Sequence, residues 1–335
     1  MKTKVLAVLM CLTMLLSLAG CSKTTTKENN AVKEPPKVSD LKLTLGTAPG
    51  PPTYPLAYMA EQNSNLTLKP WQTGDQLISM LSSKEVQISS CPVTNAMIAY
   101  NKGLGVQVLD VAVWGMLYVM STESDVKSLQ DLKGKEIVLA GQGGLHDLIF
   151  LHLLKMNNID PKQDLTITYL DMQQASAMLA SGKIKYAVLN EPNSSVAALN
   201  AKKNGVKLNR VLDLTDEWHK LPGQENVRLP MGTIVVVNGT NITAEQIATF
   251  EKDFIEAAEW VNSHPAEIGP IVEKYVPWMK AKAVSESIKY ARLQPNHAAD
   301  CQSEVEAFFK ELSKDTDPKA FGGKLPDAGF YYQAK

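Results

Sequence analysis

The chain has 335 residues, 44% hydrophobic and 21% charged, enough apolar side chains for one large core or two medium ones, which excludes a disordered or fibrous protein. Basic and acidic residues nearly cancel, 34 against 35, with no long basic run, so no nucleic-acid partner is expected. Four scattered cysteines, without Cys-x-x-Cys or His-Glu-x-x-His spacing, offer neither a disulfide scaffold nor a zinc motif, and the expectation is no metal and no cofactor.

Lys2 and Lys4 precede an apolar run from Val5 to Leu18, followed by the small residues Ala19 and Gly20. That order is a secretory signal, and the run is short for a membrane span. Leu18-Ala19-Gly20-Cys21 resembles the lipobox of bacterial lipoproteins, which implies cleavage after Gly20 and a lipid on Cys21. Residues 21–39 are polar and carry Pro35-Pro36, a flexible tether. The folded part is therefore expected outside the cytoplasm, held at the membrane by lipid alone.

From Leu41 onward strands and helices alternate. Strands are expected at 41–45, 67–69, 86–90 and 106–113, with helices at 54–62, 75–83 and 93–101 between them. The same order returns with strands at 136–139, 165–170, 186–190 and 208–214 and helices at 145–156, 172–181 and 193–203. Ser79–Ile88 aligns without gaps on Ala177–Tyr186, an offset of 98 residues, each copy reading as helix end, turn and strand start. Two similar α/β lobes with parallel sheets follow. Thr73-x-x-Gln76 and Thr243-x-x-Gln246 have capping-box spacing, and beyond Ala244 the pattern is almost wholly helical.

Ser128–Lys135, Leu179–Ile184, Asn190-Glu191-Pro192 and Asn262–Glu267, in this order and spacing, resemble bacterial ABC-transporter substrate-binding lipoproteins, of the family that binds nitrate, aliphatic sulfonates, taurine and thiamine pyrimidine precursors. The resemblance runs from about Leu41 to the C-terminus. It implies an α/β type II periplasmic-binding fold, with 40–124 plus 229–335 as lobe one, 125–228 as lobe two, and crossings near Ser121–Ser128 and Val227–Met231. It also implies a monomer that takes up a small organic solute, anionic or aromatic, and hands it to a permease and ATPase. An exported enzyme on the same fold, similar to thiamine-pyrimidine synthases, and a signalling or adhesion lipoprotein are the alternatives. Gly141-Gln142-Gly143-Gly144-Leu145 lacks the Ser or Thr of sulfonate-type members, and Lys185 stands where the family often has an acid. The tail Phe330-Tyr331-Tyr332 reads as an aromatic strap onto lobe one.

Ligands of open parallel sheets sit beyond the carboxyl ends of the strands, where helix N-termini offer unpaired N–H groups. The residues expected there are Ala48, Tyr54, Thr73, Gly74, Cys91, Pro92, Thr94, Trp114, Gly143, Gly144, His146, Asn190 and Glu191. Trp114 with Tyr54 would form a stacking wall, or Trp114 would be core. Gly143 and Gly144 would admit a ligand to the backbone, or only make a tight turn. His146 would pair with an anion below neutral pH, Glu191 would touch ligand, hinge or solvent, and His152 is a buried, satisfied histidine. Gly141-x-Gly143-x-x-His146 only half-matches a dinucleotide fingerprint. Cys91 and Cys301 are expected free. No nucleophile elbow, phosphate loop or activated carboxylate pair occurs, so no catalytic residue is assigned.

Overall fold

Strand β1 (Leu43–Thr47) buries four of its five residues, the mark of a strand covered on both faces. The computed structural model describes residues 35–333; the leader 1–20, Cys21 and the tether up to Glu34 fall outside them. After β1 come α1 (Thr53–Gln62), β2 (Leu66–Pro70), α2 (Gly74–Ser82), β3 (Ile88–Pro92), α3 (Val93–Asn101) and β4 (Val106–Trp114). The next run is β5 (Leu117–Ser121), β6 (Glu136–Ala140), α4 (Leu145–Met156), β7 (Thr166–Leu170), α5 (Met172–Ala180), β8 (Tyr186–Asn190), α6 (Asn193–Lys203), β9 (Asn209–Asp213) and α7 (Leu214–Trp218). Then follow β10 (Pro230–Val237), α8 (Ala244–Ser263), α9 (Pro265–Tyr275), α10 (Ala281–Ala291), β11 (Leu293–His297) and α11 (Gln302–Leu312).

Two sheets result. One has the order β11-β4-β10-β3-β1-β2, the other β7-β6-β8-β5-β9. Both are mixed rather than parallel, because β10 runs antiparallel to β3 and β4, β11 to β4, and β5 to β8 and β9. These three strands are the ones that strand–helix alternation misses. The expected capping boxes at Thr73 and Thr243 form. β3 and β8 begin at Ile88 and Tyr186, so the 98-residue repeat survives as equivalent strands in the two sheets.

The chain changes sheets at Gly115–Met116, not near Ser121–Ser128. Residues 117–121 already pair as β5 with β8 and β9 in the second sheet. The boundary expected at 124 therefore moves to 115–116. The return leaves β9 at Asp213 and rejoins the first sheet at Pro230. Gly115 has φ +112°, and a Cβ there would lie 2.5 Å from Thr215 Oγ1 and 2.8 Å from Arg292 Nη1. Only glycine fits both the angle and the space. Arg292 donates to Asp213 at 2.7 Å, tying the end of α10 to the second crossing.

The C-terminal helices touch both lobes. α10 packs on α6, and Tyr118 of β5 donates its hydroxyl to the Tyr290 carbonyl at 2.9 Å. Trp218 is fully buried, with its ring 5.2 Å from that of His152 and 4.6 Å from that of Phe308 on α11. His152 is buried as expected but only half satisfied: its Nδ1 lies 2.9 Å from Asp315, while its Nε2 has no hydrogen-bond partner. At the tail Phe330 and Tyr331 are buried, and Tyr332 donates its N–H to the Val108 carbonyl. Cys91 and Cys301 are free and buried, and burial pushes both thiols up to about 12. Among the described residues no helix is long and apolar enough to cross a membrane.

Candidate functional site

Strand carboxyl ends from both sheets converge on a cleft of about 360 Å³. The first sheet supplies the turn Ala48–Pro52 after β1, Ser90–Pro92 at the end of β3, Thr94 and Asn95 opening α3, and Met231 and Gly232 of β10. Opposite stand Ala140 and Gly141 after β6, Gly144–His146 opening α4, Asp171 and Met172 before α5, and Asn190 ending β8. Met116, at the crossing, lies between the two walls. The cleft is thus walled by residues of both sheets.

The proline-rich turn is held from beneath. Thr47 and Thr53 share a hydrogen bond of 2.6 Å, Thr53 donates to the Ala48 carbonyl, and the Ser90 hydroxyl accepts the Ala48 N–H at 3.1 Å. These are buried hydroxyls with mutual partners, so the wall is preorganised. Gly232 lets the turn sit down on β10, where a Cβ would come within 3.0 Å of Pro52.

Seven expected residues line the cleft: Ala48, Cys91, Pro92, Thr94, Gly144, His146 and Asn190. The others lie elsewhere. Tyr54 is fully buried and shares a 2.8 Å hydrogen bond with Ser287, because α1 turns that face inward. Trp114 faces a second depression on the other side of the crossing, its indole N–H donating to Gln294 and the Arg228 guanidinium 3.7 Å above its ring. The stacking wall is thus absent, and both aromatics are packing residues. Thr73 and Gly74 form the capped start of α2 outside the lining, and Gly143 is likewise set back. Glu191 is fully buried and pairs with Arg210 at 2.6 Å, while the Arg210 guanidinium lies 3.6 Å over Tyr290. Burial pushes the Glu191 carboxyl up, and Arg210 pulls it back only in part. Of the roles open to Glu191, this geometry is the hinge-side one. Lys185 pairs with Glu123 on the surface.

Two helix ends at the cleft, those of α4 and α5, already hold acids, whereas α1 and α3 carry none in their first turns. The buried Asp147 carboxylate accepts the Gly143 N–H at 2.8 Å and the Tyr169 hydroxyl at 2.8 Å. Asp171 caps α5 by accepting the N–H groups of Gln173 and Gln174. No lysine or arginine is among the described residues lining the cleft. Desolvation pushes the His146 imidazole down to about 4, which works against the imidazolium that would pair with an anion. Asp147 and Asp171 thus take up N–H groups that an anion would otherwise use at these two helix ends.

Residues 107–250 match the NMT1-like family. The match covers the central segment of the chain, from within β4 to the first half of α8. No curated protein matches. Among solved structures, an ABC transporter from Parabacteroides distasonis has 22% identity, a TM-score of 0.72, and coverage of 90% of this chain and 100% of its own. The periplasmic aliphatic sulphonate binding protein SsuA from Escherichia coli has 16% identity and a TM-score of 0.61, covering 90% and 97%. The alkanesulfonate-binding protein SsuA from Xanthomonas axonopodis pv. citri, bound to MOPS, has 16% identity and a TM-score of 0.56, covering 88% and 98%. The chain thus has the two-lobed α/β type II periplasmic-binding architecture.

Proposed function

We propose that this chain is an extracytoplasmic solute-binding protein that captures a small organic molecule and delivers it to an ABC importer. The observation that carries the reading is the cleft walled by both sheets and spanned at Met116 by the crossing, where movement of one lobe against the other opens or encloses the solute. The chain binds its ligand and releases it unchanged. The similar solved structures, an ABC transporter and two sulfonate-binding proteins, support the transport role.

The guest is uncharged or carries hydrogen-bond donors. Apolar walls of Pro49, Pro51, Pro92, Leu145, Met172 and Met231 suit a compact weakly polar body, and Ser90, Thr94, Asn95 and Asn190 supply polar points. Native mass spectrometry of the purified chain is expected to find one small molecule per protein, which calorimetry then titrates. At a hundred times its dissociation constant such a ligand stabilises the fold by about 2.7 kcal/mol. Asp171→Lys is expected to weaken a donor-bearing guest and to favour MOPS. Tighter binding of MOPS than of any uncharged candidate by the unsubstituted chain defeats the charge assignment. Conversion of the captured molecule to a product defeats the receptor assignment.

Export followed by lipid attachment at Cys21 places the protein on the outer surface of a membrane, next to its permease and ATPase. Cys21→Ala is expected to shift the protein from membrane pellet to supernatant after a detergent-free wash. Retention of a processed Cys21→Ala form in the pellet removes the lipid anchor.

A further inference from the structure

Away from the cleft, two acids meet at an enclosed point. Asp110 lies in the middle of β4 and is fully buried; no N–H or hydroxyl donor reaches its carboxyl, which faces that of Glu251 at hydrogen-bonding distance. Two carboxyl groups in contact at a buried point are costly unless they share a proton or hold a cation. The direct neighbour of Asp110 across the antiparallel ladder is His297 of β11, and α8 brings Glu251 to the same point. Ligand-capable atoms of all three side chains lie within 4.8 Å of one another. His297 Nδ1 already faces the Glu251 carboxylate, and both side chains are only part-buried, which leaves an approach from solvent.

We infer that Asp110, Glu251 and His297 form a binding site for a divalent transition-metal ion of the zinc class. One imidazole and two carboxylates make a nitrogen–oxygen donor set, which suits Zn²⁺, Co²⁺ or Mn²⁺ better than the all-oxygen preference of Ca²⁺ and Mg²⁺. Three protein ligands leave a fourth position for water. The ion takes the place of the direct His297–Glu251 contact and gives Asp110 the charge partner it lacks. Its effect is mechanical, because it joins β4, β11 and α8, and β4 runs directly into the crossing at Gly115. The site is separate from the solute cleft, none of whose lining residues it shares.

The test uses the purified chain stripped with chelator, with Zn²⁺ followed by calorimetry and thermal unfolding and Co²⁺ followed by its visible absorption. The expected result is one ion per chain, a raised unfolding midpoint, and a d–d spectrum typical of mixed nitrogen and oxygen ligands. Asp110→Asn is expected to weaken Zn²⁺ by more than roughly 10-fold, the loss that removal of even a supporting group produces. Relief of a buried charge keeps this variant folded, with a metal-free midpoint at or above that of the parent chain. Glu251→Gln, at a part-buried position, is expected to weaken binding to a similar degree and provides a second reading. Uptake of neither Zn²⁺ nor Co²⁺ by the parent chain overturns the site, and Asp110 is then simply protonated. Equal affinity of the parent and Asp110→Asn overturns it as well.

Discussion

Arg210→Met is expected to destabilise the protein by about 3–5 kcal/mol, the cost of leaving one member of a buried ion pair uncompensated. Glu191 is fully buried and receives two hydrogen bonds from Arg210, at 2.6 and 3.2 Å, so the substitution leaves a carboxylate that water cannot reach. The guanidinium also covers Tyr290, and methionine keeps part of that contact. The loss depends on pH. Without Arg210 the folded protein holds the Glu191 proton at pH values where the unfolded chain has released it, so stability falls as pH rises through that interval. Urea unfolding at pH 5 and pH 8 is the measurement, with the larger loss at pH 8. A further Glu191→Gln change in the Arg210→Met background is expected to restore much of the stability. A loss that is small and equal at both pH values contradicts this account of the pair.

Gly115→Ala is expected to cost roughly 2–4 kcal/mol, from a φ of +112° that alanine rarely adopts and from crowding against Thr215 and Arg292. The position lies where the chain passes from one sheet to the other, so strain there also alters the resting angle of the lobes. Chemical denaturation gives the stability change, and small-angle scattering without ligand reports the altered shape. An alanine variant matching the parent in both measurements shows that the crossing has more room than these contacts allow.

Strands that are followed by their own helices were legible in the sequence, because turn residues and a change of periodicity separate them. β5 was hidden because only Gly115 and Met116 part it from β4, and Val106–Ser121 reads as one apolar run. β11 contains Pro295, which argues against a strand unless, as here, it lies at a sheet edge. The loops that reach the cleft could be placed from strand order alone, which is why Ala48, Cys91, Thr94, His146 and Asn190 were found. Side-chain direction could not. Trp114 is the last residue of its strand, and whether it meets the ligand or Arg228 depends on which side of the crossing it faces. The charge of the cleft also depended on tertiary detail, since Asp147 looks like an ordinary first-turn acid until its carboxylate is seen on Gly143. Asp110, Glu251 and His297 share no local spacing, and only the pairing of β4 with β11 beneath α8 brings them together.

The repeat that aligns β3 with β8 ends where those strands begin. Both copies pass from strand to helix, yet α3 starts at Val93, immediately after its strand, and α6 starts at Asn193, two residues after its own. The surplus is Glu191-Pro192. In the first copy the direct passage carries Pro92, Thr94 and Asn95 into the cleft; in the second, the extra residues take Glu191 into the interior and leave Asn190 at the wall. Two copies of one helix–turn–strand pattern thus continue differently after their strands: one turns directly into a helix beside the cleft, and the other first turns inward and fastens Arg210.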